Sequence, residues 1–329
     1  MLMSANKLSG LCFAIFVLSA SLAAQETAPA QSQSITPAEQ QSAVQQAAPA
    51  ETNAPQFPPT SDPKEIVRRS VEVDHRALEM ARSYTCQHRE VTKHLGKNGE
   101  VKSTETKTYD INFYYGYQYS RLTQIDDKPL SEKEQKKEDE KLEKFLAKHR
   151  NESEEDRQKH LDKEKKEREE SRAFARDIVN AFDFHMVGDE QLEGVDTWVI
   201  EATPRQDFKP TQPHADVLKK VKGKMWIDKK EYNWVRVEAE TMDTISFGLF
   251  LARVHAGSRF EFQQTHLNNE VWLMRRFYLN GSARLLLVKN EAMEQEDTFS
   301  NYKKFSTTVR IVPGVKEMPA EEKLTPPPK

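Results

Sequence analysis

Cys86-Gln87-His88 is the one place in this 329-residue chain where a thiol and an imidazole stand at a spacing that chemistry can use. On an extended strand, side chains two apart share a face, so Cys86 and His88 would lie together with Glu90 next in line. An imidazole beside a thiol favours the nucleophilic thiolate, and the same pair offers two ligands to a soft metal. Both uses need further partners, and a lone Cys beside a His is far more often structural. The expectation is therefore no catalytic residue and no metal site, with a Cys86-dependent hydrolase as the weakest alternative. The chain holds no Gly-x-Ser-x-Gly elbow, His-Glu-x-x-His helix, phosphate-cradling glycine loop or Cys-x-x-Cys pair, so the common hydrolase, NTPase and zinc classes lose their signals. Asn151-Glu152-Ser153 and Asn280-Gly281-Ser282 match the glycosylation sequon, a pattern too weak to use.

These residues sit at the head of a strand-rich body. Ser61 or Asp62 can cap a helix with Pro63 in its first turn, and Ile66, Val67, Val71, Leu78 and Ala81 recur at helical spacing, which predicts an amphipathic helix over 62–82. From Tyr84 the period becomes two. A hairpin is predicted over 84–109 around Gly96-Lys97-Asn98-Gly99, then a strand with Phe113, Tyr115, Tyr117 and Tyr119 on one face and Tyr114 on the other. Further strands are expected over 184–192, 197–204, 223–228, 233–241, 246–254, 259–266, 270–279 and 283–290. One more helical turn is expected over 214–221. Asn280-Gly281 is the strongest short-range hairpin signal. The count is roughly ten antiparallel strands.

The ends and the middle differ from this body. Residues 8–24 form an apolar run behind Lys7, ending in small residues at Ser21-Leu22-Ala23-Ala24, which reads as a cleaved secretory signal over 1–24. Cys12 lies inside that run, so a lipoprotein anchor is not expected, and Cys86 would be left as the only thiol, with no internal disulfide. Residues 25–60 are rich in Gln, Ala and Pro, with a few glutamates and no Lys or Arg; they and 313–329 read as a disordered linker and tail. The formal net charge of −3 points to no nucleic-acid partner. Within 131–172, 15 acidic and 14 basic residues crowd 42 positions, with Leu142, Phe145, Leu146, Ala147 and Leu161 as the apolar ones. Opposite charges three and four apart support helix with little buried face, and apolar heptads are not sustained. The expectation is a charged helical insertion, one long or two shorter solvated helices, followed by a separate short amphipathic helix over 171–182.

Large side chains stripe the late strands: Phe247, Leu249 and Leu251; Phe260 and Phe262; Trp272, Met274 and Tyr278. A long curved sheet must close around its side chains or leave a hollow, and aromatic stripes are more often plain core than pocket.

Lys224-Met225-Trp226-Ile227-Asp228, then Val235-Arg236-Val237-Glu238, and the late Phe299-Ser300-Asn301-Tyr302-Lys303-Lys304-Phe305 resemble the LolA-like family of outer-membrane lipoprotein-sorting proteins, which also includes envelope stress sensors. The match in order of elements runs over 63–312. The resemblance implies an α+β, mainly antiparallel fold over 61–312: an unclosed β-barrel with helices over its concave face. It further implies a non-enzymatic periplasmic protein that shields a lipid or a lipoprotein's acyl chains, with transient membrane contact and no cofactor. Phe247, Leu249, Leu251, Phe260, Phe262 and Trp272 are the expected lipid-binding residues. The charged segment departs from the compact carriers, and the alternative is an envelope protein-interaction or stress-sensing module that docks a partner on 131–172.

Overall fold

A computed structural model describes residues 57–247, 252–285 and 289–304; the expected signal, almost all of the linker, and the tail lie outside the described residues. The chain folds as an unclosed antiparallel sheet with a few helices packed on it, as expected of the fold class. Its elements are helix α1 (Pro63–Ala81), strands β1 (Tyr84–Leu95), β2 (Val101–Tyr114), β3 (Tyr117–Ile125) and β4 (Lys128–Pro129), then helices α2 (Glu132–Arg150) and α3 (Glu154–Ala181). There follow β5 (Phe182–Leu192), β6 (Val195–Pro204), a 3-10 turn η1 (Ala215–Lys220), β7 (Val221–Asp228), β8 (Trp234–Thr241), β9 (Ile245–Phe247), β10 (Ala252–Val254), β11 (Arg259–Leu267), β12 (Val271–Leu285) and β13 (Lys289–Lys304). The strand order β4-β3-β2-β1-β13-β12-β11-β8-β7-β6-β5 joins two meanders through the β1–β13 pairing.

Three expectations are corrected. Asn280-Gly281 is no turn: β12 runs straight through it, pairing Asn280 with Glu294 and Gly281 with Met293. Glycine is needed there for a close approach, because a Cβ at 281 would stand 2.4 Å from Ser258 Oγ and 3.2 Å from Ser258 Cα. Conversely, the single aromatic strand expected through Tyr115 is broken at Tyr115-Gly116, both at positive φ (55° and 88°), which reverses the chain between β2 and β3. The strand expected over 246–254 is likewise two short strands, β9 and β10, that pair antiparallel with Ala252 opposite Phe247.

The charged segment is also more than a solvated spacer. It connects the β4 edge of the sheet to the β5 edge, and the amphipathic helix expected over 171–182 is its continuation rather than a separate element, giving α3 28 residues. Ser131 and Glu134 form a capping box at the start of α2. α2 and the start of α3 dock on β3 through rings: Tyr119 meets Phe145 at 4.8 Å, and Tyr117 lies between His149 at 3.8 Å and His160 at 4.1 Å. The Tyr117 hydroxyl donates to the Glu152 carboxylate. At the far end of α3, Phe174, Ile178, Val179 and Ala181 join the main core.

That core lies between the sheet and α1. Asp62 caps α1 by accepting from the Lys64 N–H at 3.0 Å, and Ile66, Val67 and Val71 are buried against a surface that includes Ile200, Met225, Ile227, Trp234, Phe260 and Phe277. Burying each such aliphatic side chain contributes about 2 kcal/mol before ordering costs. Polar groups share this interface. Trp234 Nε1 donates to Ser70 Oγ at 2.7 Å, and the buried Arg69 guanidinium bonds Glu65, the Pro58 carbonyl and the Tyr232 hydroxyl. Gln264 donates to Asp74 Oδ1 at 3.4 Å, and burial raises the Asp74 carboxyl to about 6.

Two outcomes are expected. Because the folded-state pKa of Asp74 lies above its unfolded value, its favourable contribution is full below about pH 4 and is lost as pH rises through about 6. Asp74→Asn should therefore stabilise the protein by about 1–2 kcal/mol at pH 7.5, with the gain vanishing near pH 4, as read by thermal melts across that range. Gly281→Ala should destabilise it by about 1–3 kcal/mol through overpacking, and denaturant titration should show Ser258→Gly restoring much of the loss.

Candidate functional site

The sheet face under α1 divides into an apolar part and a polar part. Alternation along β6 and β7 sends Ile200, Met225 and Ile227 toward α1, while Val199 and Trp226 point the other way. Phe260 is buried on the α1 side, and Phe262, half-buried, sets its ring 5.9 Å from Trp234. Trp272 does not share that surface. It packs with Val199, Trp226 and Val235 in a separate cluster, donates its indole N–H to Glu231 at 2.7 Å and stacks on His266 at 4.9 Å. Phe247 ends β9, but its side chain, like the whole of Leu249 and Leu251, lies outside the described residues. Of the six expected lipid-binding residues, the structure thus brings Phe260 and Phe262 together and sets Trp272 apart.

The polar part lies on β1 and β13. As expected, His88 and Glu90 point from one face of β1; the sequence left out Asp297, which β13 places directly opposite Glu90. His88 Nε2 and Asp297 Oδ1 are 2.8 Å apart, and Gln295 donates to Asp297 Oδ2 at 2.8 Å. The imidazole is stacked on Phe299 at 4.5 Å and on Tyr109 at 5.7 Å, which fixes its plane. Burial first, and the Asp297 charge second, raise the Glu90 carboxyl. Thr92 and Gln295 beside them are buried too. A polar patch on a covered face needs its hydrogen bonds satisfied, because an unpaired buried charge is costly.

Cys86 heads the same strand face but does not join this group. Its thiol is pushed up to about 11 by burial, with the Tyr302 hydroxyl nearby acting in the opposite sense. Activation of a thiol nucleophile requires a shift in the other direction. Iodoacetamide at pH 8 should therefore alkylate Cys86 at least tenfold more slowly in the native protein than in denaturant, as followed by intact-mass spectrometry; equal rates would revive the thiol chemistry.

No family model matches the sequence, and no curated protein matches it. Solved structures similar to this chain include a DUF1329 family protein from Desulfovibrio piger, 11% identical over 74% of this chain and 94% of its own, with a TM-score of 0.25. A putative outer membrane lipoprotein-sorting protein domain from Vibrio parahaemolyticus is 12% identical over 74% and 95%, with a TM-score of 0.27. A LolA superfamily protein from Nitrosomonas europaea is 9% identical over 74% and 94%, with a TM-score of 0.25. Superpositions this loose carry no weight for function.

Proposed function

We propose that this protein is a non-enzymatic periplasmic binder of acyl chains, from a lipid or from a lipoprotein in outer-membrane sorting, and that α1 is the cover over the acyl-binding face. The observation that carries the reading is the mixed character of the α1 interface. Ile66, Val67 and Val71 supply apolar burial, while Arg69, Ser70 and Asp74 place polar groups along the same helix where a permanent core would be expected to be apolar. Such fastenings set the register of a helix at little net gain in stability, because each exchanges a bond to water for a bond to protein. Lifting α1 would expose the surface around Phe260 and Phe262. An acyl chain would cover it again, gaining about 0.8 kcal/mol per buried CH₂. No helix among the described residues is long and apolar enough to cross a membrane.

The docking of α2 and α3 on β3 favours a second reading, in which the arm is a fixed, charged surface for an envelope protein partner. Native mass spectrometry of the protein from a periplasmic extract is expected to show a lipid adduct, and a fluorescent fatty-acyl probe should bind saturably. Phe262→Ser should weaken probe binding several-fold, whereas Trp272→Phe should leave it unchanged. Absence of both adduct and probe uptake would sink the acyl reading.

A further inference from the structure

The β1–β13 seam carries a group of side chains that acyl binding does not use. Nitrogen of His88 and carboxylate oxygens of Glu90 and Asp297 all lie within 4.8 Å of one another. Two carboxylates directly opposite on neighbouring strands repel each other, and this pair is buried, which strengthens the repulsion. Part of the charge is accounted for: Asp297 takes a bond from His88 on one oxygen and from Gln295 on the other. Glu90 is not. It is only 7% exposed, its carboxylate points into the group, and among the described residues it has no hydrogen bond or ion pair. Lys107, its opposite number on β2, makes its direct ion pair with Glu105, so Lys107 and His88 offset the Glu90 charge only at longer range. A buried carboxylate without a hydrogen bond, beside a second carboxylate and an imidazole, is a donor set that a cation would complete.

We propose that His88, Glu90 and Asp297 bind a divalent first-row metal ion that ties β1 to β13. One imidazole and two carboxylates are donors that suit Zn²⁺ or Mn²⁺, and three protein ligands leave further positions for water. Donors that each lie about 2.1 Å from one ion are at most about 4.2 Å apart, so the group closes on an ion by small side-chain rotations. The ion replaces the His88–Asp297 hydrogen bond. Supporting contacts are already in place: Phe299 and Tyr109 hold the ring plane, and Gln295 orients Asp297 through its second oxygen. Cys86 stays outside the set, which distinguishes this site from the soft Cys–His pair that sequence spacing alone suggests. The site also stands apart from the proposed acyl-binding surface around Phe260 and Phe262: α1 reaches the seam only at its end, where Met80 and Ala81 pack near Tyr84 and Tyr302.

Zn²⁺ titrated calorimetrically into the untagged, metal-stripped full chain at pH 7.5 is expected to bind at one equivalent, and more tightly than Mn²⁺. Glu90→Gln and Asp297→Asn should each weaken Zn²⁺ binding tenfold or more, with Cys86→Ser unchanged. Zn²⁺ should raise the melting temperature of the wild-type chain and leave that of Glu90→Gln unmoved, and the metal-free melt of that variant shows that it is folded. Absence of saturable Zn²⁺ and Mn²⁺ binding, or a Glu90→Gln affinity within twofold of wild type, overturns the proposal whatever the outcome with acyl probes.

Discussion

The pairing of β1 with β13 is the contact on which the rest of the molecule depends. Residues 84–95 meet residues 292–304, so the first and last strands of the described chain lie side by side at the centre of the sheet. The other junctions in the main path join strands that are neighbours in the chain, with a longer connection through η1 between β6 and β7 and the small β9–β10 hairpin between β8 and β11. Without this seam the molecule would be two separate ribbons: a four-stranded one, and a seven-stranded one under α1. Closing a loop of roughly two hundred residues is entropically expensive, but the cost grows only with the logarithm of length. A register of more than ten residue pairs repays it.

The seam also decides what the covered face can be. On one side of it lie the aliphatic and aromatic residues that pack under α1; on it lie His88, Glu90, Gln295 and Asp297. An apolar surface and a charged one thus share a single sheet, separated by β12, which contributes Phe277 and Leu279 to the apolar side. Their tasks differ physically. The apolar side gains by excluding water from anything of similar character, and the polar side gains only if its charges are matched.

Much of this was legible in the chain. The helix at 62–82 and the period-two body follow from local rules, and the structure obeys them. The failures have specific causes. Asn280-Gly281 carries a turn signature, but its glycine answers to Ser258, a neighbour 23 positions away that no local window contains. Tyr115-Gly116 looked like mid-strand because aromatics are strong strand formers, and the flanking tyrosines masked the reversal. His88 and Glu90 were visible as a pair. Asp297 became their partner only through the fold, since nothing in a sequence ties a residue to one more than two hundred positions away. Trp272 was grouped with Phe260 by size and alternation, but the indole N–H requires an acceptor, and Glu231 supplies it in a different cluster.

The long helix α3 has a further consequence. With α2 it is the only connection from one edge of the sheet to the other, and eleven strands spaced about 4.8 Å apart would span about 48 Å if laid flat. A helix of 28 residues measures about 42 Å. Between its anchors, at Tyr117 of β3 through His160 and at the core through Val179, the helix covers about 19 residues, or about 28 Å, so it forms a ruler shorter than the flat sheet is wide. A ruler of that length fits a curled sheet and not a flat one. In this light the dense pattern of opposite charges is the means of keeping a solvent-facing ruler straight.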